Sequence, residues 1–230
     1  MDKLLVFWSR HVSNRLTTLI AAIGVVGLAA CLFLLLGLGW LCEEILEKES
    51  FALDAQILLG IHQWATPLLD QVMLTITRLG NPEVVVVVVV LILGWFLWEQ
   101  KWAEAKTLAI SCLGALILNQ GLKLVFTRPR PVLWTQLIKE ISYSFPSGHA
   151  LGSFVLYGFL AYLLAVRFPK YASLIYIVAG VLITAIGFSR LYLGVHYPTD
   201  IIAGYAIGFL WVNVCIVMIK LQTEPRTIGE

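Results

Sequence analysis

Long apolar runs alternate with short polar or proline-bearing stretches along most of the chain. The runs read as helices at about residues 16–41, 82–98, 107–126, 147–166, 172–193 and 198–221. Each is close to the roughly 20 residues that a helix needs to cross a bilayer. The run Val84–Val90 is strongly β-branched and would suggest a strand in water. In lipid a helix satisfies its own backbone, so a helix opened by Pro82 in its first turn is expected instead. Residues 51–79 follow another pattern. Ile57, Leu58, Ile61, Trp64, Leu68, Leu69, Val72, Met73 and Ile76 recur at helical spacing, while Asp54, Asp70 and Arg78 interrupt them and Thr66-Pro67 starts a new turn. Two short amphipathic helices on the outer surface are expected here, in preference to a seventh, irregular span. At the N-terminus, Leu4, Leu5, Phe7 and Trp8 lie among Lys3, Arg10 and Arg15, which suggests an interfacial amphipathic segment over residues 1–15. The apolar run after it is too long for a signal-peptide core of about 7–15 residues, and it reads as an uncleaved first span.

Composition agrees with this pattern. Of the 230 residues, 60% are hydrophobic and 13% are charged, with a mean hydropathy of +0.88; a soluble domain carries about 25% charged residues. The expected fold is therefore all-α: a polytopic six-transmembrane-helix bundle with short extracytoplasmic amphipathic helices. It reads as one integral-membrane domain over residues 1–230, with a motif-bearing core at about 105–220. A net charge of +2 does not suggest nucleic acid as a partner. Cys31, Cys42, Cys112 and Cys215 form no metal-ligand spacing and read as small buried hydrophobes. With six spans, the Lys/Arg clusters at 3–15, 101–106, 167–170 and 220–226 share one side, which the positive-inside tendency makes cytoplasmic. The loop at 127–146 and the turn after residue 193 then face the extracytoplasmic side.

Three stretches carry candidate chemistry. The first is Lys123-x6-Arg130-Pro131, at the end of a span. Arginine offers a planar fork to phosphate oxygens and lysine a compact charge, and Pro129 and Pro131 stiffen the backbone around Arg130. Alone, this stretch could equally be a basic anchor for lipid headgroups. The second is Pro146-Ser147-Gly148-His149. Ser147 suits a helix N-cap, Gly148 permits close backbone approach, and His149 would sit in a first turn whose free N–H groups favour an anion. The third is Ser189-Arg190-x5-His196-x3-Asp200. If Pro198 opens a helix, Asp200 in its first turn can reach back to His196. A carboxylate on Nδ1–H fixes the tautomer and leaves Nε2 as a nucleophilic lone pair. Asp200 could instead form a salt bridge with an arginine that locks two helix ends.

In this order and at these spacings, the three motifs resemble the signature of the type 2 phosphatidic acid phosphatase (PAP2) superfamily, with every signature position present. The resemblance is close from Lys123 to Asp200, the six-span layout extends it, and residues 1–80 add little. It implies a metal-independent lipid phosphate phosphatase that works through a phosphohistidine and needs no cofactor. His196 would attack phosphorus, Asp200 would orient it, and His149 would protonate the leaving group and then activate water. Lys123, Arg130, Ser147, Gly148 and Arg190 would hold the phosphoryl oxygens. The implied partners are membrane lipids and a lipid phosphate substrate: phosphatidate, phosphatidylglycerophosphate or an isoprenyl pyrophosphate such as undecaprenyl pyrophosphate. The implied location is a bacterial inner membrane, with the site facing outward.

Two other readings compete. Vanadate-dependent haloperoxidases use similar motifs but are soluble, which six apolar spans argue against. A non-catalytic phospholipid-binding or transport protein would need the cations but not a His–Asp pair. His62 lies among apolar residues with no partner motif around it. Arg128 lies outside the signature, and the role considered for it is contact with a substrate headgroup.

Overall fold

The computed structural model describes residues 13–47 and 51–223. The amphipathic segment expected at the N-terminus falls outside the described residues up to position 12, as does the polar tail from 224. The helices are α1 (Ser13–Glu47), α2 (Phe51–His62), α3 (Pro67–Arg78), α4 (Pro82–Trp98), α5 (Trp102–Phe126), α6 (Gly148–Arg167), α7 (Ala172–Tyr192) and α8 (Pro198–Thr223), with a 3-10 turn at Pro169–Tyr171. There is no strand among the described residues. The β-branched run Val84–Val90 lies inside α4, as backbone satisfaction in lipid requires.

Local sequence explains most of the boundaries. Thr66 caps α3 by accepting from Leu69 N at 3.2 Å, and Pro67 follows in the first turn. Ser147 caps α6 by accepting from Ala150 N. Thr127 ends α5 in the left-handed region, with φ 43°. Two boundaries differ from expectation. The polar stretch at 99–106 is mostly helical, because α5 already begins at Trp102 after a tight turn with Gln100 at φ 55°. The first span does not stop at Leu41: α1 continues to Glu47 and carries Glu43, Glu44 and Glu47 on its last turns.

Among the described residues, five helical segments are long and apolar enough to cross a membrane: Gly27–Glu47, Trp102–Phe126, Gly148–Arg167, Pro169–Tyr192 and Pro198–Gln222. A sixth candidate is the bent pair of α3 and α4, which meets the same test only when the two helices are taken together across their bend of 42°. Their outward faces are apolar, as at Leu36, Val90, Ile117, Val125 and Ile177.

The core explains how the motifs meet. Helices α6 and α8 run parallel in close contact. A Cβ at Gly204 would lie 2.9 Å from both Ala150 Cβ and the Ser147 carbonyl oxygen, so only glycine allows this approach. Further along the same pair, Leu156 and Phe159 pack with Cys215 and Ile219. Helix α5 runs the other way, with Leu108 against Phe159 at one end and Asn119 bonded to the Pro146 carbonyl at the other. The C-terminal ends of α5 and α7 therefore gather with the N-terminal ends of α6 and α8. Leu41 and Ile45 of α1 pack with Phe145 and Ala203 at this same end.

Two short helices form in residues 51–79, as expected, but they are not simply surface elements. Asp54, Leu58 and Ile61 are buried along one face of α2, and Met73 and Thr77 of α3 are buried as well. Ile61 and Met73 pack on Tyr192, Leu193 and Val195, directly beside the third motif. His62 has a partner: its ring stacks on Trp134 at 4.1 Å and 13°. Trp134 in turn lies against Gly194, whose φ of 68° and lack of a side chain the turn requires.

Candidate active site

The end of α5 and the loop after it place three cations. Lys123 is buried and donates from Nζ to Ser142 Oγ at 2.8 Å. Arg130 spreads its fork over several acceptors. Nε donates to the Ser142 carbonyl at 2.7 Å, Nη2 to Ser142 Oγ at 3.1 Å, and Nη1 to the Val195 carbonyl at 2.6 Å. Nη1 also lies 3.1 Å from His196 Nε2. Guanidinium only donates, so that nitrogen of His196 carries the lone pair and the ring proton is on Nδ1.

The orienting carboxylate is where the i, i+4 spacing puts it. Asp200 Oδ2 faces His196 Nδ1 at 3.3 Å and accepts from Tyr197 N at 2.9 Å and from the Ser144 hydroxyl. His196 is buried, and burial pushes its imidazole down from 6.5 to about 4, against the opposing pull of its hydrogen bond to Asp200. The ring is therefore neutral at neutral pH.

Arg128 lies outside the three motifs and plays an internal part. It is 2% exposed and does not face a headgroup. Nη1 donates to Asp200 Oδ1 at 2.6 Å and to Thr199 Oγ1 at 2.7 Å, and Nη2 donates to Asp54 Oδ2 at 2.7 Å. The guanidinium also lies over the Tyr197 ring at 4.3 Å. Asp54, itself 2% exposed, accepts from Thr199 N at 3.2 Å and from Thr199 Oγ1 at 2.5 Å. Asp200 thus does two jobs at once. One oxygen holds Arg128 in the helix-locking salt bridge, and the other faces His196. Asp54 sits 74 residues before Arg128, so no local pattern marks the pair.

The second motif forms the N-terminus of α6 beside these groups. Ser147 N donates to the Asp200 carbonyl at 3.1 Å, and Ser147 Oγ is spent as the helix cap. Ala150 N is taken by that cap and Leu151 N by the Ser147 carbonyl, which leaves the N–H groups of Gly148 and His149 outside the helix ladder. His149 Nε2 lies 2.9 Å from Asn81 Oδ1, in the turn between α3 and α4. A Cβ at Gly80, next to Asn81, would be 2.8 Å from the His149 ring, so this turn packs tightly on it. Asn119 braces the other side through the Pro146 carbonyl at 3.2 Å. Neither Asn81 nor Asn119 belongs to a motif.

Arg190 is 1% exposed and donates from Nη1 to Thr77 Oγ1 at 2.8 Å. Its Nη2 donates to Glu140 Oε1 in a close ion pair, while its Nε has no hydrogen-bond partner among the described residues. Glu140 Oε2 is also 3.7 Å from Arg130 Nη2. Burial raises the Glu140 carboxyl, but the Arg190 and Arg130 guanidiniums outweigh it and hold the group below the ordinary carboxylate range. Among the described residues, no group of three or more His, Cys, Asp or Glu side chains could hold a metal ion.

The result is a buried imidazole with a defined lone pair, backed by a carboxylate and faced by guanidinium groups, beside a helix N-terminus with free N–H donors. That arrangement suits attack on a phosphoryl group whose oxygens the cations and N–H groups hold. Similar proteins agree. The family model described as the PAP2 superfamily matches residues 104–224. The chain is 37% identical over 148 residues to phosphatidylglycerophosphatase B of Bacillus subtilis, covering 63% of this chain and 72% of that protein. It is 33% identical over 189 residues to an undecaprenyl-diphosphatase of Sulfolobus acidocaldarius, covering 80% of this chain and 85% of that one. The crystal structure of a transmembrane PAP2-type phosphatidylglycerolphosphate phosphatase from Bacillus subtilis superimposes with a TM-score of 0.77 at 31% identity, covering 86% of this chain and 98% of that one.

The buried ionic chain yields a prediction with a sign reversal. Arg128→Leu leaves two buried carboxylates without their cation and should lower stability by about 3–5 kcal/mol. Asp54→Asn alone should be milder, at about 1–3 kcal/mol, because Arg128 keeps Asp200. In the Arg128→Leu background, however, Asp54→Asn should restore stability by removing one unpaired charge. Unfolding midpoints in detergent for the four proteins check this; additive losses would show that the three side chains do not act as one network.

Proposed function

The chain belongs to the PAP2 superfamily and is a phosphatase of lipid phosphates, and on that premise we propose that it acts through a phosphohistidine on His196. The observation that carries this reading is the His196 ring itself: Nδ1 faces Asp200 at 3.3 Å and Nε2 presents its lone pair to Arg130 at 3.1 Å.

In the first step Nε2 attacks phosphorus. The N–P bond forms as the bond from phosphorus to the leaving oxygen breaks. Asp200 stabilises the positive charge that develops on the imidazole, and His149 gives a proton to the leaving oxygen. In the second step His149 takes a proton from water as water attacks phosphorus. The N–P bond breaks, His196 is restored and inorganic phosphate leaves. Lys123, Arg130, Arg190 and the N–H groups of Gly148 and His149 offset the charge on the phosphoryl oxygens, the task that a metal ion performs elsewhere. Ser147 contributes mainly by capping the helix that presents those N–H groups.

The substrate class is a lipid phosphomonoester or diphosphate, such as phosphatidate, phosphatidylglycerophosphate or undecaprenyl pyrophosphate. The names of the two relatives cover both kinds of group. A protein that only bound phospholipid would have no use for the His196–Asp200 pair. The site opens on the extracytoplasmic face of a plasma membrane, as the inner membrane of a bacterium. Lys101, Lys106, Arg167, Lys170 and Lys220, at the opposite end of the bundle, support this orientation through the positive-inside tendency.

Two experiments test these statements. Purified protein in detergent with EDTA and a ³²P-labelled lipid phosphate should give an acid-labile, base-stable phosphoenzyme on rapid quenching. His196→Ala should abolish the label and reduce turnover by about a thousandfold or more. His149→Ala should still label, but more slowly than wild type, and should also release phosphate slowly. Label retained in His196→Ala would rule out this nucleophile. For orientation, Ile141→Cys in a background without the native cysteines places a thiol on a fully exposed loop residue. A membrane-impermeant maleimide should label it in intact cells; labelling only after lysis would reverse the topology.

A further inference from the structure

Glu140 is an acidic side chain set among the cations that the proposed mechanism assigns to the phosphoryl group. Its Oε1 accepts from Arg190 Nη2, and its Oε2 lies 3.7 Å from Arg130 Nη2. The two carboxylate oxygens thus bridge two guanidiniums, as two oxygens of a phosphoryl group would. The side chain reaches in from the solvent side: it is 29% exposed, while that of Arg190 is 1% exposed.

The segment that carries Glu140 is short and anchored on both sides. Upstream, Gln136 Nε2 donates to the Pro131 carbonyl at 2.7 Å and to the Gly194 carbonyl at 2.5 Å, and Ile138 packs against the cluster of Tyr192 and Leu193. Downstream, the Ser142 carbonyl is held by Arg130. Between these anchors Lys139 and Ile141 are exposed. Glu140 can therefore leave the cations by side-chain rotation and a small local shift, without disturbing the helices. Arg130 makes its contact with His196 Nε2 in this same arrangement, so a phosphoryl group that recruits Arg130 also frees the lone pair that attacks.

We propose that Glu140 is a resident carboxylate in the phosphoryl subsite and acts as a selectivity filter that a terminal phosphate displaces and a phosphodiester does not. The inference rests on the function proposed above. A terminal phosphoryl group brings about two negative charges near neutral pH and three outer oxygens, and it exceeds a carboxylate in both. A phosphodiester brings one charge and two free oxygens, no more than the carboxylate it would replace. Most headgroups in a bilayer are phosphodiesters at very high local concentration. A site of bare guanidiniums would bind them, whereas a site already closed by a carboxylate rejects them. Glu140 sets specificity by charge competition and takes no part in bond making.

The test compares wild type with Glu140→Gln, which keeps the shape and removes the charge. Binding is read without turnover, from ³¹P line broadening of inorganic phosphate and of a soluble short-chain phosphatidylglycerol. Steady-state kinetics with a phosphatidate substrate run in parallel. Glu140→Gln should bind the phosphodiester about tenfold or more tightly and inorganic phosphate by a smaller factor. In the kinetics, phosphatidylglycerol should become an effective competitive inhibitor of Glu140→Gln, with an inhibition constant about tenfold or more below that for wild type. Glu140→Asp, shorter but still charged, should keep most of the discrimination, and a melting midpoint close to wild type for either variant shows the fold is retained. Lys139→Gln, the exposed neighbour, should change none of these values. Unchanged phosphodiester binding in a folded Glu140→Gln protein would overturn the filter, even if wild type hydrolyses lipid phosphates normally. Tighter phosphodiester binding in a protein that turns over no lipid phosphate would uphold the filter and reject the proposed reaction.

Discussion

The structure depends on how one buried arginine is neutralised. Arg128 is 2% exposed at the end of an apolar bundle, where an unpaired guanidinium would be very costly. Two carboxylates from distant parts of the chain meet it, Asp54 on α2 and Asp200 on α8, at 2.7 and 2.6 Å. The Tyr197 ring covers its face at 4.3 Å, and Thr199 ties both the arginine and Asp54 to the start of α8. This chain of charges holds α2, the loop after α5 and the first turn of α8 in one fixed relation. Replacing it with apolar side chains of similar volume need not weaken the fold, but it would remove the hold on Asp200.

That hold matters for the imidazole next to it. With one oxygen committed to Arg128, the other faces His196 Nδ1 and accepts from Ser144 and from Tyr197 N. Rotation of the carboxylate would break several of these bonds together, so the ring keeps one tautomer. The bundle supplies the rest of the geometry. Gly204 lets α6 and α8 approach closely enough for Ser147 N to reach the Asp200 carbonyl at 3.1 Å, which puts the anion-binding end of α6 beside the His–Asp pair. A packing constraint among helices thereby becomes a distance constraint among reacting groups.

Much of this was legible in the sequence, and the parts that were not share a cause. Hydropathy placed α4 at its observed boundaries and most other spans within several residues, because apolar length is a local property; the first span is the exception, expected from residue 16 and found from Gly27, past a break in the helix at Gly24. The other misplacements lie at Leu41 and Thr107, where polar residues ride on the last or first turns of a helix and hydropathy falls before the helix ends. Motif spacing brought Lys123, Arg130, His149, Arg190, His196 and Asp200 to one end of the bundle, since each lies at or near a helix terminus. Asp54, Asn81, Asn119 and Glu140 escaped notice because their partners are distant in sequence and no periodicity announces them. Asp54 read only as an interruption in an apolar face, although it sits on the buried face of α2. Arg128, two residues from Arg130 and equally charged, is internal and does not meet a headgroup. The two readings of Asp200, orienter of His196 and partner of an arginine, proved compatible because a carboxylate has two oxygens.

The central claim is that this network delivers a neutral His196 with its proton on Nδ1 and its lone pair on Nε2. The most direct measurement is ¹⁵N NMR of the detergent-solubilised protein labelled at histidine, with His196→Gln used to assign the signal. The account predicts the neutral Nδ1–H tautomer from about pH 7 down to about pH 5. Burial disfavours the charged ring, so protonation should set in only as the pH approaches about 4. An ordinary titration centred near 6.5, or a proton found on Nε2, would contradict the account.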